Sequence, residues 1–203
     1  MEDTSRYLQC MQEVRERLKL IELVTEKKLT TGREFSDVEF VFLQLRKILE
    51  LIAFASLTAN REKYSAVHAK FASHWKAKDM LAALEKINPD FYPSPSTPPV
   101  LQPDETKYLD TIKEGFLTKD DFKFLYDKCA EILHARNPFT DKSLTVDVLY
   151  PVTLWVSRIH KLLDLHVMHL LDGKKWVVEI PKEGNIHLWP AKVYTSWPAK
   201  KRK

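Results

Sequence analysis

Glycine and cysteine are both scarce in this 203-residue chain, and each scarcity excludes something. The four glycines, Gly32, Gly115, Gly173 and Gly184, all stand at breaks between apolar-periodic segments. None is left to build a phosphate-cradling loop. The GxGxxG, P-loop, GxSxG and HExxH patterns are missing, so nucleotide-dependent and serine-hydrolase chemistries of the familiar kinds are not expected, and no cofactor is expected. The two cysteines, Cys10 and Cys129, can pair in principle but are too few for a disulfide framework or a CxxC site. Cys129 falls on the apolar stripe of a helix and reads as a buried thiol. Long apolar runs are missing too. The closest, Val38 to Leu57, carries Glu39, Arg46, Lys47 and Glu50, which marks a buried helix and no membrane span. The acidic start, Glu2-Asp3-Thr4-Ser5, has no apolar stretch behind it and reads against a secretory signal. A cytoplasmic location with no membrane partner is expected.

What the chain does have is core material: 44% of its residues are hydrophobic and 30% charged, a balance that folds. Leu8, Met11, Val14, Leu18 and Ile21 recur at helical spacing and predict a first helix from about Thr4 to Lys28. Ser36 and Glu39 have the spacing of a capping box, with Phe35 placed to staple onto Phe40, and predict a central helix over Val38–Leu57 with an Arg46–Glu50 pair. A third helix is expected from Arg61 to about His74 and a short fourth from Asp79 to Ile87. Six of the eleven prolines fall between Asn88 and Pro103, predicting an extended connector. Thr118 and Asp121 have cap spacing for a helix ending near His134. Val148, Val152, Trp155, Ile159, Leu163 and Leu170 predict a long helix from Thr145 to Leu171, stopped by Gly173. Beyond it the period changes: Trp176, Val178 and Ile180 alternate with Val177 and Glu179, and Ile186 and Leu188 resume the alternation, the signal of a β-hairpin.

The expected fold is therefore mostly α: a multi-helix bundle with a proline-rich connector and a small C-terminal β-hairpin. Residues 1–87 form an N-terminal helical segment and 88–105 the connector. Residues 106–172 form a second helical segment packing on the first, and 173–203 a basic, tryptophan-rich hairpin and tail.

Charge is concentrated in that last segment. Residues 173–203 hold eight basic side chains against Glu179 and Glu183, a net of +6 in a chain whose total is +4. Three of the five tryptophans, Trp176, Trp189 and Trp197, lie there as well. Cations contact phosphates and flat rings stack on bases. Lys174, Lys175, Trp189, Lys192, Trp197, Lys200, Lys201, Arg202 and Lys203 are accordingly the candidate contacts for RNA or another polyanion. The competing reading is that the tryptophans pack the hairpin onto the helices and the terminal Lys-Lys-Arg-Lys is a solvated tail.

Two other groups carry possible chemistry. His166, His169 and Asp172, if helical, share a face as metal ligands do, but His166 also continues the core stripe and reads better as an interior histidine, so no metal is expected. Arg61 with His68, and His134 with Arg136 and Asn137, combine the residue types that cleave RNA without metal: histidine handles the 2′-hydroxyl proton and arginine stabilises the charge on the phosphorane-like transition state. Arg61, the polar Glu62 and, after five more residues, His68 resemble the signature of HEPN proteins. Arg136-Asn137 resembles its opening, although His134 precedes instead of following. The hydrophobic helix bearing Leu45-Arg46-Lys47-Ile48-Leu49-Glu50 is similar to early helices of that family. The resemblance covers residues 36–172. It implies a small helical bundle, metal-independent endoribonuclease activity in bacterial defence or a toxin system, and a homodimer. The proline-rich stretch and the C-terminal hairpin depart from the pattern. The other class that fits is a non-catalytic interaction module, its helices binding a protein partner and its basic tail adding electrostatic affinity.

Overall fold

In the computed structural model, which describes residues 2–59, 77–103, 107–135, 139 and 147–191, the apolar run around Leu45 becomes the central pillar. This is helix α2 (Glu34–Thr58). Leu45, Ile48, Leu49, Ile52 and Ala53 are all fully buried along it, because neighbours cover it on more than one side. Helix α1 (Glu2–Thr25) runs against it, burying Tyr7, Met11, Val14, Leu18 and Ile21. The expected stripe is there, with Tyr7 taking the buried place assigned to Leu8. Helix α3 (Ala77–Ile87) and helix α4 (Lys119–Leu133) pack on other parts of α2, and helix α5 (Val152–Leu163) touches α1. Mostly α is thus the observed class, with five helices among the described residues. No helix of the described residues is long and apolar enough to cross a membrane.

The two predicted caps fare differently. Thr118 and Asp121 form a full capping box at the start of α4: the Thr118 hydroxyl accepts from the Asp121 amide, and the Asp121 carboxylate accepts from the Thr118 amide. Arg158 of α5 donates to the same carboxylate at 2.6 Å, and this ion pair ties the two helices together. Ser36 and Glu39 form no cap, because α2 starts earlier, with Arg33 at its N-cap. Asp37 is used instead: Thr30 and the Thr31 amide both donate to its carboxylate, closing the α1–α2 turn and holding the acid below its usual range. Phe35 consequently stays exposed. The expected Arg46–Glu50 pair forms at 3.2 Å.

The largest correction falls on the helix expected over Thr145–Leu171. Among the described residues of that span, only Val152–Leu163 is helical; strand β4 (Leu165–His169) follows the Asp164 C-cap directly. Ile159, Leu163, His166 and Leu170 do fit a helical stripe. Yet β4 also alternates, and its backbone finds a ladder on β5 (Lys175–Glu179), from Leu165 opposite Glu179 to His169 opposite Lys175. Gly173, at a φ of 81°, turns this hairpin instead of stopping a helix. In a strand His166 and His169 point to opposite faces, so the metal-ligand arrangement with Asp172 does not form.

β5 also pairs with β6 (His187–Ala191), which is the hairpin read from the sequence. The fourth strand comes from the proline-rich stretch: β1 (Ser94–Pro95) pairs with β4, giving an antiparallel sheet of order β1-β4-β5-β6. Phe91, Tyr92, Pro93, Pro95 and Ser96 are buried, so these residues belong to the packed body. Tyr92 donates its hydroxyl to the Leu117 carbonyl at 3.0 Å. A small exposed ribbon, β2 (Val100–Leu101) with β3 (Lys107–Tyr108), follows.

The inner face of the sheet carries His166, Met168, Trp176, Val178 and Leu188 against the helices. Its link to α1 is a buried hydrogen-bonded chain. His166 Nδ1 lies 2.7 Å from the Leu163 carbonyl oxygen, which can only accept, so Nδ1 holds the proton. Nε2 is left to accept from the Tyr7 hydroxyl at 2.5 Å. The Tyr7 ring also meets Trp176 edge-on, with centroids 5.7 Å apart. Burial pushes His166 down to about 4 from its ordinary 6.5. Between those values the unfolded chain takes up a proton that the folded chain refuses. This histidine's contribution is therefore intact above 6.5 and falls by about 3 kcal/mol as pH drops to about 4. The expected outcome is that the difference in unfolding free energy between wild type and His166→Gln, from urea titrations, shrinks by that amount between neutral pH and pH about 4. A difference that does not change with pH would refute the neutral buried histidine.

Candidate nucleic-acid interface

The sheet has a second face, and sequence alternation decides what it displays. Residues pointing away from the helices are Leu165, Val167 and His169 on β4, Lys175, Val177 and Glu179 on β5, and His187, Trp189 and Ala191 on β6. The register sets them in cross-strand rows. Val167, Val177 and Trp189 form the middle row; His169, Lys175 and Ala191 form one end; Leu165, Glu179 and His187 form the other. Val167 and Val177 are half-buried, but Trp189 remains 46% exposed. The His187 ring stacks on it, with centroids 5.5 Å apart and planes 15° apart. Burial, then the nearby Lys175 ammonium, lowers the His169 pKa. Lys175 itself makes no ion pair among the described residues, whereas Lys174, in the β4–β5 turn, pairs with Asp172 at 2.7 Å.

The loop between β5 and β6 is tied down from α1. Arg15 donates to the carbonyls of Pro181 and Gly184 at 2.9 and 2.8 Å, fixing where β6 begins. Asn88, at the end of α3, donates to the His169 carbonyl at 3.0 Å. The outward face thus stands on anchored strands.

Of the predicted contacts, Lys175 and Trp189 are brought to this face, and Lys174 lies beside its basic end. Lys192, Trp197, Lys200, Lys201, Arg202 and Lys203 lie outside the described residues. Among the nuclease candidates, Arg61, His68, Arg136 and Asn137 also lie outside them. His134 is the C-cap of α4: its amide donates to the Ala130 carbonyl at 3.1 Å, and the residue is exposed. Trp176 does what the packing alternative supposed, turning inward onto Tyr7. His187 was missed by the sequence reading, although its place two residues before Trp189 in an alternating strand is the signal that finds it.

Two polar clusters elsewhere are closed on themselves. Arg46 lies over the Tyr126 ring at 4.7 Å and donates to the Tyr126 hydroxyl and to Glu50. His160 is held between Asp164 at 2.9 Å and Glu22 at 3.3 Å, and the Asp164 carboxylate, first of all, raises its pKa. Burial pushes the Cys129 thiol up to about 12, which removes it as a nucleophile. No group of three or more metal-ligating side chains converges among the described residues.

The two faces of the sheet predict opposite responses to tryptophan removal. Trp176→Ala is expected to destabilise the fold by about 3 kcal/mol, because it empties space beside Tyr7. Trp189→Ala is expected to cost less than about 1 kcal/mol. Thermal or urea unfolding of the two variants measures both.

No protein-family model, no curated protein and no solved structure matches this chain.

Proposed function

We propose that this chain is a helical, RNA-associated protein that holds its ligand at the basic C-terminal end, on and beyond the outer face of the sheet. The observation that carries this reading is the segregation of charge. Residues 173–203 carry a net of +6 in a chain of +4, leaving the helical remainder slightly acidic. Lys175 shares its face with the exposed Trp189, and Lys192 follows β6 directly in the sequence. Cations along one end attract a phosphate backbone with little regard to sequence.

The sharper form of the reading is metal-independent RNA cleavage, and it draws on the resemblance to HEPN proteins. Arg61 and His68 would form the catalytic pair, or His134 with Arg136 and Asn137, in a homodimer. The exposure of His134 at the end of α4 is compatible with contact to a phosphodiester. The alternative is a non-catalytic module whose helices bind a protein and whose basic end adds electrostatic affinity.

Two measurements separate these readings. The logarithm of the RNA binding constant is expected to fall linearly with the logarithm of salt concentration. Deleting residues 192–203, which removes Lys192, Lys200, Lys201, Arg202 and Lys203, should lower that slope by up to about 0.7 per lost phosphate contact. Binding that ignores this deletion removes the basic end from the function. For catalysis, the combined variant Arg61→Ala, His68→Ala, His134→Ala and Arg136→Ala is expected to abolish RNA cleavage; unchanged cleavage by that variant discards the nuclease reading.

A further inference from the structure

We infer that the outer face of the sheet is a stacking platform for unpaired bases, with Trp189 as the ring they stack on, so that the nucleic acid taken is single-stranded. The inference rests on the RNA-association reading and narrows it from polyanion attraction to a defined ligand class.

Four observations converge on this face. First, Trp189 is a large aromatic left 46% exposed on an ordered strand, whereas the other described tryptophans, Trp155 and Trp176, are turned into the packed body. Second, the His187 ring, two residues earlier on the same face, already lies parallel to it with centroids 5.5 Å apart, so the face presents flat rings in a stack. Third, its cross-strand neighbours are Val177 and then Val167, short apolar side chains that make a low floor beside the ring and place no charge in the middle row. Fourth, the charges along the face are ordered. Lys175 stands at one end, and Glu179 stands at the opposite end beside His187. A bound strand is thereby drawn with its phosphates toward the Lys175 end.

The edges of the sheet offer less. Pro190 removes one backbone donor from β6, and β1 is only two residues long, so addition of a partner strand is poorly supported on either side. A duplex keeps its base faces covered, leaving Trp189 nothing to stack on, whereas every base of a single strand presents one.

The test uses the full chain and two labelled probes of equal length, an oligo(U) strand and an RNA duplex, followed by fluorescence anisotropy at low salt. Tighter binding of oligo(U) than of duplex is expected. Trp189→Ala should weaken oligo(U) binding roughly tenfold or more, Trp189→Phe should retain most of it, and neither should change duplex binding much. Thermal unfolding of both variants at the wild-type temperature shows that the fold is kept. If Trp189→Ala binds oligo(U) like wild type while deletion of residues 192–203 weakens it, the stacking platform is wrong and RNA association by the basic end survives. If neither probe binds the wild-type chain, RNA association fails and the platform falls with it. If oligonucleotides do not bind but the chain self-associates, and Trp189→Ala abolishes that self-association, the face belongs to a protein partner and the inference is overturned.

Discussion

The hydrogen-bonded chain from Tyr7 through His166 to the Leu163 carbonyl is the interaction on which the arrangement depends. It joins the first helix to the point where the last helix becomes a strand, across 159 residues of sequence. All three groups are buried, so each polar atom must find its partner inside. Once Nδ1 donates its N–H to the Leu163 carbonyl, the other nitrogen needs a donor, and Tyr7 supplies it. That requirement sets the inner face of the sheet against α1. Trp176 then fills the space beside the Tyr7 ring, and Arg15, two turns further along the same helix, reaches the β5–β6 loop.

Fixing the inner face also fixes the outer one. With His166, Met168 and Val178 inward, a period of two leaves no choice about Val167, Val177 and Trp189. The exposed tryptophan is thus a geometric consequence of the register that buries the histidine. A slip of one residue would put Trp189 into the body and Leu188 outside. The outward tryptophan and the core packing therefore share one structural cause, and the basic end follows in sequence from the strand that this register holds.

How legible the fold was depended on whether a signal was local. The Thr118–Asp121 box forms because both partners lie within one helical turn. The Arg46–Glu50 pair forms for the same reason, but Tyr126, which completes it, comes from another helix and left no trace in the local pattern. The Ser36–Glu39 spacing was equally favourable, yet Asp37 was claimed by Thr30 and Thr31 across the turn, and the helix began earlier. In the candidate interface, Lys175 and Trp189 were visible as residue types. His187 became part of it only through its stack on Trp189.

Sequence alone determined the mostly helical class, the central apolar helix, the burial of Cys129, the change to strand periodicity after Gly173 and the gathering of positive charge at the C-terminal end. These follow from side-chain periodicity and composition, which need no knowledge of distant partners. Tertiary structure decided the state of residues 165–169 and the use of the prolines around Ser94. Leu165 to His169 fit a helical stripe and a strand about equally well, and a strand has no hydrogen-bonding partner of its own. Only when β5 on one side and β1 on the other offered their backbones did the extended form prevail, and with it the face on which Trp189 stands.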